Sequence, residues 1–382
     1  MSGIDSKVLG GRIREARKRA DMSQEDLGRI ISLERTVVNK IEAGIRKVTA
    51  LELADIAAAI NTNMSTFFDD PVPALVAHRS SQGLDTADSK IDALLANLAS
   101  EVEFVAAMGV DKELGLSGAD VVSQAGVIAP ATHSEAETLA TLARELMGLT
   151  ADEAIPTLSA SVEKLGLLTF SRDIGKDTAD AGTIMLRRGG VAFINSYMKI
   201  GRRRLALAHE LGHYLIGDNY TIDWRVDHQS CDDVPLESRI DRFARAVLLP
   251  ESAVVKQWGE RLDQFQSARS AAICLASKFR VDMATLATRL RELELIDAET
   301  RAEVYKYRTT QTDIIEMNLY VPVEELAATT VPRPFARAVL RLVRDERISR
   351  ERALQLLQGT VDDVDLPEVR ERRPDEMWKF VS

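Results

Sequence analysis

Apolar residues recur every three or four positions over long stretches of this chain, a pattern that predicts amphipathic helices. In residues 90–108 the stripe consists of Ile91, Leu94, Leu95, Leu98, Val102 and Val105, and it can form a dimer seam or, as we expect, pack on the body of the chain. Further helices are predicted over 202–216 and 237–249, and short apolar runs predict strands at 165–170, 182–186 and 191–195. We therefore expect a mainly α protein with a small β-sheet, an α+β fold.

Residues 9–68 show the same helical period in short segments. Ser23 is a suitable N-cap, and Asp26 follows three residues later as a weak capping-box partner. We place the turn between the second and third helices near Ser32 and Leu33, and the start of the third helix near Glu34. The apolar positions predicted to fill a small five-helix core are Leu27, Ile30, Ile31, Val38, Ile41, Leu51, Leu53, Ile56 and Ile60.

His209, Glu210 and His213 form a His-Glu-x-x-His spacing within an apolar helical run. Residues four apart share one face of a helix, so both imidazoles can reach one metal ion, while Glu210 can hold the water to be activated. The apolar neighbours predict a buried helix, with Arg202 to Arg204 as its polar edge. The alternative is a pair of core histidines that are satisfied by hydrogen bonds.

A catalytic zinc ion usually has three protein ligands and one open position, so the metal hypothesis needs a third ligand. Glu237 is the best candidate, because it begins the next helical run and shares a face with Asp241 four residues later. Asp241 can accept the free ring N–H of a ligand histidine, which would fix its tautomer. The alternative is that Glu237 is a solvated acidic residue, favoured at a helix start by the macrodipole.

The HELGH segment, the E-x-x-x-D-x-F-A segment from Glu237 and the Leu-Leu-Pro at 248–250 together resemble the ImmA/IrrE group of metallopeptidases over roughly residues 136–296. Leu249 stands where that group usually has Met, a volume-conserving departure. The resemblance implies His209, His213 and Glu237 as zinc ligands and Glu210 as general base. It also implies a short sheet on the active-site helix, with an edge strand that can pair with an extended substrate. Zn²⁺ is the implied cofactor, and Mn²⁺ is an alternative because mixed His/carboxylate sites accept both.

The donor that would stabilise a transition-state oxyanion is left open among four residues, Tyr197, Tyr220, Arg225 and His228. Cys231 lies in sequence between the second and third ligands. Its thiolate could occupy an open position on zinc, but we favour a plain loop thiol.

Three segments, Leu9 to Arg17, Met22 to Leu27 and Leu33 to Gly44, resemble the Xre/Cro-type helix-turn-helix domain. The resemblance implies that the third helix enters the major groove of a double-stranded DNA operator. The residues expected to face outward are Arg35, Thr36, Asn39 and Lys40, of which Arg and Asn suit base contacts. The candidate phosphate contacts are Gln24, Lys40 and Arg46. The alternative is a protein-binding helical domain on which these residues are merely solvated.

Charge is distributed unevenly along the chain. The 382 residues carry a net −10, but residues 1–60 carry eleven Lys/Arg and nine Asp/Glu, a net +2, and the rest carries −12. A weakly basic domain on an acidic body favours DNA binding through that domain alone.

We divide the chain into a helix-turn-helix domain at 1–70, a linker and helix at 71–135, a peptidase domain at 136–296 and a C-terminal helical region and tail of unassigned role at 297–382. No 18-residue apolar run or signal-peptide pattern is present, so we expect no membrane partner. Two cysteines make no disulfide framework, which suits the reducing cytoplasm.

Two classes of function fit these features. In the first, the protein is a DNA-binding transcriptional regulator with a zinc endopeptidase domain that cleaves a repressor or itself, in a stress or mobile-element response. In the second, the zincin-like domain only senses a ligand or a partner. A third hypothesis makes the protein the antitoxin half of a toxin–antitoxin pair, because Xre-type domains are common there. The intact Glu210 favours the first, because a sensor does not need a general base. We expect a homodimer, since one recognition helix covers only part of a palindromic operator.

Overall fold

A computed structural model describes residues 5–20, 22–60, 62, 64–68, 76–79, 85–150, 152–176, 178–217, 235–319 and 324–368. The N-terminal unit consists of α1 (Ser6–Arg19), α2 (Gln24–Ile30), α3 (Arg35–Glu42), α4 (Ala50–Ala59) and a 3₁₀ turn at Met64–Phe67. Four α-helices and a 3₁₀ turn thus stand where five helices were predicted. Its core contains most of the predicted positions, including Leu27, Val38 and Ile41. Ile30 and Leu51 were predicted wrongly and are exposed, because they lie on the outward sides of α2 and α4.

The larger part of the chain forms a second body, in which helices dominate. It begins with β1 (Val76–Arg79), α5 (Asp85–Ala107), α6 (Asp111–Leu114), α7 (Gly118–Ala125), α8 (His133–Leu146) and α9 (Leu158–Glu163). It continues with β2 (Leu167–Arg172), β3 (Ala181–Met185), β4 (Gly190–Asn195), α10 (Ile200–Ile216) and α11 (Leu236–Leu248). It ends with α12 (Glu251–Phe265), α13 (Ala268–Phe279), α14 (Met283–Glu292), α15 (Ala298–Lys306), α16 (Gln311–Glu316), α17 (Arg333–Arg344), α18 (Arg350–Leu356) and a 3₁₀ turn at Asp363–Asp365. Among the described residues, no helix combines the length and the apolar character needed to cross a membrane.

The expected α+β class is confirmed, with one small mixed sheet in the order β1-β3-β4-β2. β3 pairs antiparallel with β4 and with β1, and β2 pairs parallel with β4. The three strands predicted from apolar runs are β2, β3 and β4. The fourth strand, β1, was not predicted and comes from the segment between the N-terminal unit and α5.

Side chains alternate between the two faces along each strand, and both faces of the sheet are covered by other elements. One face presents Leu167, Ala181, Ala192 and Ile194 to a core that includes Leu207, Ala208 and Leu211 of α10. The other face presents Leu168, Phe170, Ile184, Val191 and Phe193 to a second core. That second core includes Ile91, Leu95, Leu98, Val102 and Val105, so the stripe on α5 packs on the body of the chain.

The C-terminal helices also belong to this second core. Phe335, Val339 and Leu342 of α17 are buried with the sheet residues, and Ala353 and Leu356 of α18 complete the layer. The Phe335 and Phe170 rings meet edge to face, with centroids 5.4 Å apart and an interplanar angle of 69°. Helices α17 and α18 therefore close the face of the sheet that lies opposite α10.

Candidate metal centre and nucleic-acid interface

The first two candidate ligands and the candidate base lie on α10. His209, Glu210 and His213 are buried in the described structure, with exposed fractions of 1%, 0% and 4%. The helix ends at Gly217, which adopts a left-handed conformation with φ 58°. Glycine is the residue that takes this conformation most readily at a helix C-terminus. The pattern of apolar positions thus located both the helix and its end.

A glycine between the ligands brings α11 close to α10. A Cβ atom at Gly212 would lie 2.9 Å from Ile240 Cγ2 and 3.0 Å from Phe243 Cδ1. Real Cβ atoms essentially never approach other atoms so closely, so a larger residue would push the two helices apart. The close packing sets the residues of α11 directly against the histidines.

Glu237 and Asp241 reach the histidines from α11. Glu237 Oε2 lies 3.2 Å from His209 Nε2, and Glu237 Oε1 lies 3.5 Å from His213 Nε2. The two Nε2 atoms are themselves 3.1 Å apart. Asp241 Oδ1 lies 2.9 Å from His209 Nδ1, on the opposite side of that ring.

These distances fit a tetrahedral metal site. Zinc ligands at about 2.0–2.1 Å from the ion are roughly 3.3 Å from one another in a tetrahedron. The three ligand atoms of His209, His213 and Glu237 lie within 4.8 Å of one another, and their closest approaches fall on either side of that spacing. The donor set, two imidazoles and one carboxylate, is also the kind that holds a catalytic divalent ion.

The candidate ligands and Asp241 shift one another's pKa values. Partial desolvation raises the pKa of Glu237, whose side chain is 55% exposed, but the hydrogen bonds and charges of the two histidines outweigh it and hold the pKa well below its usual value. Burial lowers the pKa of His209, but the hydrogen bonds to Asp241 and Glu237 leave it raised. Asp241 can accept a hydrogen bond from the Nδ1–H of His209, which leaves Nε2 directed toward the other ligands.

Glu210 has the environment expected of a general base whose carboxylate binds a water molecule. Both carboxylate oxygens are buried without a hydrogen-bond partner in the described structure. Desolvation raises the pKa of Glu210, whereas the charges of His213 and His209 and the nearby Thr183 hydroxyl oppose that rise. Leaving such a group unsatisfied costs free energy, and a water held beside the metal ligands would supply the missing donor. Thr183 was not predicted, because nothing in its apolar strand sets it apart.

The other candidates around this centre have different outcomes. Tyr197 is exposed in the turn between β4 and α10. Tyr220, Arg225, His228 and Cys231 lie outside the described residues. Arg204 was assigned to a polar helix edge, which is wrong: its side chain is fully buried and pairs with Glu325. Sequence reasoning missed this pair because its members are 121 residues apart.

The N-terminal unit contains a helix-turn-helix geometry. α2 begins with the predicted capping box, in which the Ser23 side chain accepts from the backbone N–H of Asp26 and the Asp26 carboxylate accepts from that of Ser23. The turn that follows requires a glycine at Gly28, where a Cβ would lie 2.4 Å from the Leu33 carbonyl oxygen. α3 then starts at Arg35 with Glu34 as its N-cap, as the sequence predicted.

The outward face of α3 carries the four predicted residues. Arg35, Thr36, Asn39 and Lys40 are all exposed, and the buried residues of the helix are Val38, Ile41 and Glu42. Glu42 is held by Arg17, whose Nε lies 2.6 Å from Glu42 Oε1, an ion pair that fixes α3 to α1 and that the sequence did not reveal.

The two predicted phosphate contacts outside α3 have partners within the unit. Gln24 Nε2 donates to Glu42 Oε2 at 2.8 Å and reaches Asn39 Oδ1 at 3.4 Å. Arg46 pairs with Glu52 at 2.7 Å, so a phosphate would have to share or replace that carboxylate. Gln24 is thus oriented beside the exposed face of α3, whereas Arg46 is held toward the start of α4.

Comparison with known families separates the chain into the same two parts. Residues 13–67 match the helix-turn-helix family model. Residues 162–291 match peptidase family M78, the IrrE N-terminal-like domain. The control protein C.MunI of a Mycoplasma species is 36% identical over 68 residues, which make up 17% of this chain and 92% of that protein.

Proposed function

We propose that the chain is a DNA-bound transcriptional regulator with a metal-dependent endopeptidase domain, because residues 13–67 match the helix-turn-helix family and residues 162–291 match peptidase family M78. The single observation that carries the peptidase part is the convergence of His209, His213 and Glu237 beside a buried, unpartnered Glu210. Zn²⁺ is the proposed ion, and Mn²⁺ would fit the same donors.

Each residue of the centre has a defined task in this proposal. A divalent ion held by the three ligands supplies a Lewis acid that polarises the scissile carbonyl and acidifies water. Asp241 accepts a hydrogen bond from the Nδ1–H of His209 and so keeps that ring oriented for binding. Glu210 takes a proton from the attacking water and delivers it to the leaving amine.

The test is cleavage of candidate repressor proteins by the full chain. Glu210→Gln keeps the shape of the side chain but removes the proton acceptor, so we expect metal to remain bound and cleavage to stop. Glu251→Gln, which changes an exposed acid on α12, is the matched control and should cleave as the wild type does. Equal cleavage by wild type and Glu210→Gln would rule out the base. If metal binds but none of the repressors is cut, the result would favour the hypothesis that the domain only senses a ligand or a partner.

The DNA part of the proposal rests on α3 as the recognition helix. Arg35 and Asn39 are proposed to contact base edges, with Thr36 beside them, while Lys40, Gln24 and Arg46 are proposed to contact phosphates. Arg35→Ala and Asn39→Ala should each weaken specific binding by about 1–3 kcal/mol and leave non-specific binding nearly unchanged. Lys40→Ala should weaken binding to all sequences and reduce the salt slope by about 1.

We further propose that a homodimer binds a palindromic operator. Footprinting should then reveal two half-sites about one helical turn, or 10–10.5 base pairs, apart. A single protected half-site, together with unchanged specificity in Arg35→Ala and Asn39→Ala, would contradict both the dimer and the assignment of α3.

A further inference from the structure

The sheet beside the metal centre has one outer edge that is taken by the chain's own connecting segment. β1 follows the N-terminal unit and precedes α5, and it pairs antiparallel with β3. The register places Val76 opposite Ile184, Ala77 opposite Thr183, His78 opposite Gly182 and Arg79 opposite Ala181. β1 also lies against α10, the helix that carries the candidate base.

The hydrogen bonds of β3 determine which of its backbone groups face β1. Asn195 N–H donates to the Asp180 carbonyl, and Leu186 N–H donates to the Gly189 carbonyl, so the even-numbered positions of β3 bond to β4. In an antiparallel sheet the alternate positions bond to the opposite neighbour. The N–H and C=O groups of Ala181 and Thr183 therefore face β1, where their partners are Arg79 and Ala77.

This pairing places the backbone of β1 beside the strand and the helix that flank the candidate base, because β1 contacts both β3 and α10. Thr183, the partner of Ala77, is the residue of β3 whose hydroxyl lies near the Glu210 carboxylate, with no hydrogen bond between the two groups. An extended peptide bound at this edge would thus run past the base and the metal ligands, which is the geometry of strand addition to an exposed sheet edge.

The opposite edge of the sheet, formed by β2, pairs at one position with the segment that precedes α17. Ser171 of β2 exchanges two backbone hydrogen bonds with Thr330, at 3.0 and 2.8 Å. The edge of β3 is the one next to Glu210, and residues 76–79 cover its length up to Ile184.

We propose that residues 76–79 occupy, in the resting protein, the edge of β3 at which a substrate strand must pair, so that the chain blocks its own peptidase site. The blocking of a peptidase site rests on the proposed peptidase function, whereas the occupancy of the β3 edge by residues 76–79 is a separate structural claim. The ligand class of this edge is an extended polypeptide strand that runs antiparallel to β3. Because the occupant joins the DNA-binding unit to α5, substrate access would require this connecting segment to leave the sheet.

Proline substitutions test the pairing with a matched control. Ala77→Pro removes the N–H that pairs with Thr183, whereas His78→Pro removes an N–H that faces away from β3, which an edge strand tolerates. Hydrogen exchange should find the amides of Ala181 and Thr183 protected in the wild type and in His78→Pro, and exchanging at least tenfold faster in Ala77→Pro. The amides of Gly182 and Ile184, which bond to β4, should stay protected in all three and so report an intact sheet.

Peptide binding tests whether the edge becomes available. The probe is a fluorescent synthetic peptide of residues 74–81, added to zinc-loaded full-length protein in which Glu210→Gln prevents cleavage. A tethered occupant acts at an effective concentration of about millimolar, so its release should tighten binding of the probe at least tenfold. We expect that gain for Ala77→Pro and none for His78→Pro.

The outcomes separate this inference from the proposed function. Fast exchange at Ala181 and Thr183 in the wild type, or equal probe affinity in all variants, would overturn the self-occupancy even if the protein cleaves a repressor. A second outcome is slow exchange of the Ala181 and Thr183 amides in the wild type, tighter probe binding in Ala77→Pro and no cleavage of any repressor. It would support the self-occupancy and contradict the proposed peptidase function. Repressor cleavage that is faster in Ala77→Pro than in wild type would support both.

Discussion

At the scale of single residues, the buried Glu210 and the half-buried Glu163 of the second body have different surroundings. Glu210 faces two histidines and Thr183, whereas Glu163 ends α9 and has Arg333 and Glu325 as its charged neighbours. Burial raises the pKa of Glu163 to about 7, with Arg333 opposing the rise and Glu325 adding to it. A carboxyl group with a raised pKa in the folded state binds its proton more tightly there than in the unfolded chain.

The sign of the resulting pH dependence follows from that difference. Well below pH 4.5, Glu163 is neutral in both the folded and the unfolded state. As the pH rises toward about 7, the unfolded chain releases the proton first, so the free energy of unfolding falls. Glu163→Gln should therefore be more stable than wild type by roughly 2–3 kcal/mol at pH 8, with little difference at pH 5. Urea denaturation at pH 5 and pH 8 measures the stability of both proteins. An equal stability difference at the two pH values would contradict the raised pKa of Glu163.

Some residues of the candidate site could be predicted from the sequence, and others could not. His209, Glu210 and His213 were predictable because a fixed local spacing encodes their common face, and Glu237 because a second helix with the same period follows. Thr183 and the Arg204–Glu325 pair were not, since their proximity arises from packing between segments that are distant in sequence. The Arg17–Glu42 pair of the N-terminal unit escaped prediction for the same reason.

At the scale of secondary-structure elements, the proposed metal centre depends on how closely α10 and α11 pack. Gly212→Ala would force its Cβ against Ile240 and Phe243, so we expect a loss of about 1–3 kcal/mol in stability and weaker metal binding. Gly259 lies on α12 with no atom within 4 Å of an added Cβ. Gly259→Ala should instead stabilise the protein by about 0.5–1 kcal/mol, because alanine favours the helix.

Thermal unfolding and zinc affinity of the two variants provide the measurement. A Gly212→Ala protein that is as stable as Gly259→Ala and binds zinc with wild-type affinity would indicate that the helices do not need this close contact.

Elements differed in how well the sequence predicted them. The helices that carry the site and the strands β2, β3 and β4 have clear apolar periods and appeared close to their predicted bounds. β1 has only four residues, and its place in the sheet is decided by pairing with β3 rather than by a local pattern.

At the scale of the whole molecule, the sheet is stable only with a layer on each face. The predicted boundary at residue 296 left the role of the C-terminal helices open, whereas the structure places α17 and α18 on the sheet with α5. Which face a distant helix covers is decided by tertiary packing, so its own apolar period could not reveal the partner.

Removing one aromatic side chain from that layer should therefore destabilise the body that holds the proposed metal centre. Phe335 is fully buried against Phe170, and Phe335→Ala should lower the free energy of unfolding by about 3–5 kcal/mol. Tyr305→Ala removes a ring that is 54% exposed on α15 and is the control. It should change stability by no more than about 0.5 kcal/mol. If the two variants unfold alike in denaturant, the C-terminal helices do not support the sheet.

The central claim of this account is that His209, His213 and Glu237 form a metal centre in a protein that binds DNA through a separate unit. The most direct measurement is the metal content of the purified full-length protein, determined together with its affinity for DNA. We predict about one divalent ion per chain in the wild type and in Glu210→Gln, and almost none in His213→Ala, with DNA affinity equal in all three. Full metal occupancy in His213→Ala would contradict the ligand assignment, and so would a wild-type protein that binds no divalent ion when zinc and manganese are supplied.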